Sequence, residues 1–224
     1  ADKIDATTAE GAYKLARTYE KDERYEESIT YFQEVKNKHP YSRFATESEL
    51  AIADIEYKRE GYLQAEAGYR LFKDLHPSHP KMDYVTYRLG LSIYMQKPPT
   101  IDRDLSELKR SISFFDDVIK NFSKSKYVKD AKKKKIDALK MLAKKDLYIA
   151  DYYFKKEKWQ SALGRYEDML GKHSNLGFNK KSLYGATISA YKFKDQGKAK
   201  KYLSILKKNF PKSSEYNDAA KELN

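Results

Sequence analysis

The sequence predicts an all-α fold, a right-handed helical solenoid of five helix–turn–helix repeats, and three observations carry the prediction. Helix-stopping segments recur along the chain: KHPYSRFA (38–45), LHPSHPKM (75–82), NFSKSKYV (121–128) and NFPKSSEY (209–216). A small residue stands at a fixed distance before each stop. A large apolar residue follows each small one by four positions, about one helical turn later. The composition agrees, with 35% charged residues and only 9 Gly and 6 Pro, as suits thin helical layers with much surface.

The elements follow in order. Twelve residues before Pro40, Pro77, Ser123, Ser174 and Pro211 stand Ser28, Ala65, Ser111, Ala162 and Ala199. Four residues after these come Phe32, Tyr69, Phe115, Tyr166 and Leu203. A second small set lies 12 residues further upstream at Ala16, Ala53, Ala150 and Thr187, and Gly90 holds that place 21 residues before Ser111. Matched small residues let two successive helices approach closely, and the large residue wedges into the next layer. Each Pro or Ser stop ends a second helix, and the serine that follows caps the next first helix. The repeats fall at about 7–40, 42–77, 80–123, 126–174 and 179–211 in a single domain of residues 1–224, with 212–224 a short tail or helix.

The upstream small residues are spaced 37, 37, 60 and 37 apart. Of the 23 extra residues, nine lie between the helices of the third repeat, around QKPPTIDRD (96–104). The other 14 lengthen one helix, since no Gly or Pro interrupts 126–158. Fourteen residues make close to four turns, so the packing face keeps its phase. The pattern resembles the tetratricopeptide repeat, with a period slightly above its usual ~34 residues.

Charge and composition bound the function. Residues 1–112 carry 18 basic and 20 acidic side chains and residues 113–224 carry 27 and 13, so the net +12 resides in the second half. Such an excess suits nucleic acid, an anionic membrane surface or an acidic protein partner. There is no cysteine, which excludes disulfides, thiol catalysis and Cys-ligated zinc. No apolar run approaches the ~20 residues that span a bilayer. Residues 1–9 (ADKIDATTA) lack the basic start and apolar stretch of a secretory signal, so an exported protein would be represented here in mature or trimmed form.

Candidate sites are few. Three of the four histidines, His39, His76 and His173, occupy the repeat-ending turn, as structural residues would, and His79 follows in HPSH without zinc-ligand neighbours. With no Gly-rich phosphate loop and scattered carboxylates, no catalytic residue, cofactor or metal is expected. The run Lys132, Lys133, Lys134 and Lys135 covers every side of one turn, while Ile136, Leu139, Leu142, Ala143 and Leu147 form the apolar stripe of that helix. Lysines without arginine or exposed aromatics read nothing specific, so a basic, solvated face is expected and nucleic acid is not. Tyr13, Tyr57, Tyr84, Tyr87 and Tyr94 lie on first helices, the side on which solenoids bind extended peptides, and form a candidate client-peptide groove. Tyr19 is expected in the core.

HPSHPKMDYVTYRLGLS (76–92), the insert ending in DRD (102–104), FSKSKYVKDA (122–131) and LAKKDLYIADYYFKKEKWQSALGRYEDML (142–170) together resemble the BamD family of outer-membrane β-barrel assembly lipoproteins. The likeness spans about residues 7–212. Leu105 stands where the family often has Pro, and the insert is shorter than in some members. The resemblance implies a non-enzymatic scaffold on the periplasmic face of the outer membrane. It implies an N-terminal lipid on a cysteine that is not among these residues. It implies docking of the C-terminal repeats on the POTRA region of a BamA-like barrel protein, with Arg165 of the motif R-x-E-x-M-L pairing with a partner carboxylate. It also implies that the Tyr-rich first half receives unfolded outer-membrane proteins, and that other assembly lipoproteins are further partners. A periplasmic repeat protein of cell-envelope or division coordination, and a basic solenoid that binds nucleic acid, are the alternatives.

Overall fold

The computed structural model describes residues 4–223. Among these, eleven α-helices follow one another without a strand: α1 (Ala9–Lys21), α2 (Tyr25–Lys38), α3 (Arg43–Lys58), α4 (Tyr62–Leu75), α5 (Met82–Met95), α6 (Ser106–Asn121), α7 (Val128–Lys155), α8 (Trp159–Lys172), α9 (Asn179–Lys192), α10 (Gln196–Asn209) and α11 (Ser214–Leu223). They pair as five helical hairpins with α11 as a terminal helix. At 28 residues α7 is twice the length of α8 or α9, which is where the long sequence interval goes. The chain forms two compact units. One comprises the residues up to Lys97 with Ser106–Lys135, the other Pro98–Leu105 with Ile136 onward.

Each repeat boundary is built the same way. The residue that caps α2, α4, α6, α8 and α10 is a ring: His39, His76, Phe122, His173 and Phe210, each donating its backbone N–H four residues back. The carbonyl of that ring residue then accepts from the N–H three residues on, at Ser42, His79, Ser125, Leu176 and Ser213. Ser42, Ser125 and Ser213 turn their hydroxyls to the backbone N–H of Phe44, Tyr127 and Tyr216, which opens the next helix. Within the hairpins, Glu23, Glu60, Glu157 and Lys194 take left-handed backbone, with φ of 58, 62, 55 and 67°. The residue after each donates its N–H to the carbonyl five positions back, at Tyr19, Glu56, Tyr153 and Ala190, closing the helix end. The third hairpin replaces this turn with residues 96–105.

The small and large positions do what their spacing asks. Ser28, Ala65, Ser111, Ala162 and Ala199 are wholly buried, as are Ala16, Ala150 and Thr187. A methyl group on Gly68 would come within 2.9 Å of the Ala53 side chain, and one on Gly90 within 3.0 Å of the Phe115 ring. Phe32, Tyr69 and Phe115 are fully buried and Tyr166 nearly so. Leu203 departs from the expectation. It is half-buried, and Tyr202 and Leu206 fill the core instead, because only the ten-residue α11 covers this last hairpin. Ile136, expected in the apolar stripe of α7, is 45% exposed, and Ala131 and Ala138 are the buried positions there. Tyr19 is half-buried, stacked on Tyr31 at 5.3 Å.

In the first unit, Glu66 is buried on α4 and receives hydrogen bonds from Gln96, Arg70 and Arg110. Burial raises its pKa, yet these three donors outweigh it and hold the carboxyl below the ordinary range. One carboxylate thus ties α4 to both ends of the α5–α6 connection.

Candidate peptide-binding site

The Tyr-rich surface is organised around one aspartate. Asp54 follows Ala53 on α3, where α3 and α4 approach closely. Its Oδ1 accepts from the Tyr69 hydroxyl at 2.5 Å and from the Tyr84 hydroxyl at 2.7 Å. Arg88 donates through Nε to the Tyr69 oxygen at 3.1 Å, and its guanidinium lies 3.7 Å from the centre of the Tyr57 ring. Burial, reinforced by the Asp54 charge, pushes the Tyr69 and Tyr84 hydroxyls well above their ordinary pKa, so both remain donors. Residues from α3, α4 and α5 are held by one hydrogen-bonded knot.

Beside the knot lies a cavity of about 600 Å³. Leu50, Pro80, Tyr84 and Tyr127 supply its apolar surface. Arg17, Lys81, Lys124 and Lys126 line it with positive charge, and Glu47, Asp54 and Asp83 with negative. Most of the carboxylates are engaged: Glu47 holds Lys81 at 2.8 Å and Asp83 accepts from Ser125 at 2.6 Å. Lys124 is exposed, with no ion-pair partner among the described residues. Cations beside rings suit an extended segment that carries aromatic side chains and a carboxylate.

The five tyrosines named from the sequence divide. Tyr84 lines the cavity and Tyr57 adjoins it through Arg88. Tyr13 packs at 5.4 Å on Phe32 and 5.2 Å on Phe44, and its hydroxyl accepts from Arg17, which reaches the cavity. Tyr87 is buried and stacked on Tyr127 at 5.1 Å, and burial raises its pKa to about 12. Tyr94 is also buried; it lies by Phe115 under Lys97 and Lys134, outside this cavity. Sequence reasoning missed Asp54, Arg88 and Tyr127. The repeat itself held a signal for the first: Ala53-Asp54 and Ala150-Asp151 occupy the same place in their repeats, each 15 residues before the wedge tyrosine.

The second unit repeats the pair with different company. Tyr166 donates to Asp151 at 2.8 Å, and Lys181 reaches the other oxygen at 2.6 Å from the position that matches Tyr84. Gly185 stands where Arg88 does, and a methyl there would come within 2.3 Å of the Tyr166 ring. No guanidinium fits. Arg165, the next residue back from that tyrosine on α8, is exposed and pairs with no carboxylate among the described residues.

The lysine run is less uniform than a solvated face. Lys132 and Lys133 are exposed, but Lys134 sits 5.0 Å from the Tyr94 ring centre and Lys135 holds Asp116 at 2.6 Å. Three of the four histidines are tied down. His76 meets Glu49 at 2.7 Å and His173 meets Asp146 at 2.8 Å, each across 27 residues, while His79 packs edge-on against Phe72.

The family described as "YfiO: Outer membrane lipoprotein" matches residues 5–180, and a tetratricopeptide-repeat family matches 181–213. A protein of Neisseria meningitidis serogroup A named outer membrane protein assembly factor BamD is 26% identical over 92% of this chain and 80% of its own. Proteins of the same name from Rickettsia prowazekii and Caulobacter vibrioides are 29% and 27% identical, over 88% and 89% of this chain and 78% and 65% of theirs.

Proposed function

Since the chain belongs to the YfiO family of outer membrane lipoproteins, we propose that it is a non-enzymatic scaffold that receives unfolded outer-membrane proteins in its first unit and docks on a barrel-forming partner through its second. Its family and relatives make it an outer-membrane-associated protein assembly factor. No helix among the described residues is long and apolar enough to cross a membrane.

The cavity beside Asp54 is the observation that supports reception of a client segment. Tyr84 is fixed by its hydrogen bond to Asp54 and Tyr127 by stacking on Tyr87, so little side-chain entropy is lost when a segment stacks on the two rings. Lys124, without an ion-pair partner among the described residues, can meet a carboxylate of the same segment. Calorimetric titration with an extended peptide ending in an aromatic residue tests it. The expected result is saturable binding that Tyr84→Ala with Lys124→Gln weakens, and that Tyr152→Ser, in the other unit, leaves unchanged. No binding to the wild-type protein would refute this use of the cavity.

Docking is assigned to Arg165, whose planar guanidinium can grip a partner carboxylate through two parallel hydrogen bonds. Titration against the POTRA region of a BamA-like partner should show binding that Arg165→Glu abolishes while the helical signal persists. Equal binding by both proteins would remove Arg165 from the interface.

A further inference from the structure

Four hairpins of this chain turn through the same left-handed backbone, so their turn residues can be compared place by place. The residue at positive φ is Glu23, Glu60 and Glu157 in three of them and Lys194 in the fourth. The residue before it is Asp22, Arg59 and Lys156 in three, and Phe193 in the fourth. A position that is charged elsewhere is thus aromatic between α9 and α10, and Phe193 is 44% exposed. Nothing in the turn requires it, since the closing hydrogen bond is made by the backbone in all four cases.

Phe193 does not stand alone. It shares a depression of about 410 Å³ with Trp159, the chain's one tryptophan, at the neighbouring hairpin turn of the same unit. Trp159 leans edge-on against Phe154 at 5.3 Å and is half-buried. Lys158, Lys192 and Lys194 line the depression with the two rings, and Lys155 and Lys156 precede it on the chain. Lys155, Lys156, Lys158 and Lys194 are exposed, and none has an ion-pair partner among the described residues. Lys192 is held by Glu222, and Asp195 is occupied in capping α10. Glu157 is the one carboxylate that lines the depression.

Two rings seated at an edge and flanked by unpaired lysines match the chemistry of a membrane interface. An indole settles at headgroup depth, an exposed phenylalanine buries into the acyl boundary beneath it, and lysines close to an anionic surface each add attraction. The family places the protein at the outer membrane, so such a surface is within its reach. We propose that this edge of the second unit, formed by Trp159 and Phe193 with Lys155, Lys156, Lys158 and Lys194, lies against the anionic phospholipid headgroups of a bilayer.

Trp159 is its own reporter. With vesicles containing phosphatidylglycerol, its emission should move to shorter wavelength, and brominated acyl chains should quench it. Neutral phosphatidylcholine vesicles should do neither. The variant Phe193→Ser with Lys194→Gln should weaken partitioning by more than the roughly fivefold due to one lysine. Lys207→Gln with Lys208→Gln, a pair of exposed lysines elsewhere in the unit, should cost less, although it removes more charge. Circular dichroism of each variant separates lost binding from lost fold. The proposal fails if Trp159 does not respond to anionic vesicles, or if the two variants lose binding in proportion to charge alone. It fails equally if Trp159 responds to a soluble acidic protein partner and not to lipid.

Discussion

Ser28 donates its hydroxyl to the backbone carbonyl of Ala16, 2.8 Å away, at a point where both residues are wholly buried. The two small positions, read from the sequence as places of close approach, are in direct contact. Ser28→Ala should cost about 0.5–1.5 kcal/mol for the lost hydrogen bond. Ser28→Leu should cost about 1–3 kcal/mol by overpacking. Urea unfolding of both variants measures the order, and a neutral Ser28→Leu would mean that the helices have room to part.

The wedge residues should be costlier still. Phe32→Ala and Tyr166→Ala each remove a buried ring and are expected to destabilise by about 3–5 kcal/mol. A change near zero in denaturant midpoint would contradict the burial seen here.

Glycines on the helices should split by what faces them. Gly164 and Gly171 have nothing within 4 Å of an added methyl, so alanine at either should stabilise α8 by about 0.5–1 kcal/mol. Gly185→Ala drives a methyl into the Tyr166 ring and should destabilise by at least ~1 kcal/mol. Thermal melts of the three variants suffice.

The left-handed turns offer a gain in stability. Glu23 has φ of 58° and its side chain makes no hydrogen bond or ion pair among the described residues. Glu23→Gly should therefore stabilise by about 0.5–1 kcal/mol, the relief of backbone strain less the entropy of the more flexible unfolded chain. A loss of stability would show that this turn is not strained by its side chain.

Alkaline pH should act through the buried tyrosines. Tyr69, Tyr84 and Tyr166 have pKa values raised in the fold, first by burial and then by Asp54 or Asp151. A raised pKa favours the neutral form in the folded state, so this stability is fully present below the unfolded value of ~10 and is lost as pH rises beyond it. Titration of tyrosinate absorbance should show a group of hydroxyls that ionise only as helicity disappears. Tyr166→Phe should flatten the alkaline decline in stability; an unchanged slope would exclude Tyr166 as a contributor.

The lysine run separates in the same manner. Lys132→Gln with Lys133→Gln should leave the unfolding midpoint unchanged. Lys135→Gln breaks a half-buried pair with Asp116 and should cost no more than about 1 kcal/mol, because solvent screens the pair.

The repeat was legible because it rests on size, and residue size is written in the sequence. Small and large residues at fixed spacing located the hairpins, and the 14-residue excess located the long helix α7. The cluster around Asp54 was less legible because three helices contribute to it. Tyr57 and Tyr84 were identifiable as aromatics on first helices, but Arg88 and Tyr127 gain their meaning only from the packing of α5 on its neighbours. Tyr87 and Tyr94 show the limit of that reading: on α5 both ring faces find partners, and one-dimensional spacing does not distinguish a groove ring from a core ring. Leu203 failed for a different reason, since the last repeat has no full hairpin behind it.

The helices that pack together are neighbours or next-neighbours along the chain: α1 on α2 and α3, α4 on α3 and α5, α9 on α8, α10 and α11. Within each unit such a fold behaves as a series of linked segments in which a hairpin is stabilised by the ones beside it. Terminal segments have only one such neighbour and should fray first, so amide exchange should be fastest in α1 and α11 and slowest in the interior of each unit. Damage to a terminal hairpin then remains local, and the Asp54 knot of α3, α4 and α5 lies in the part of its unit that opens last.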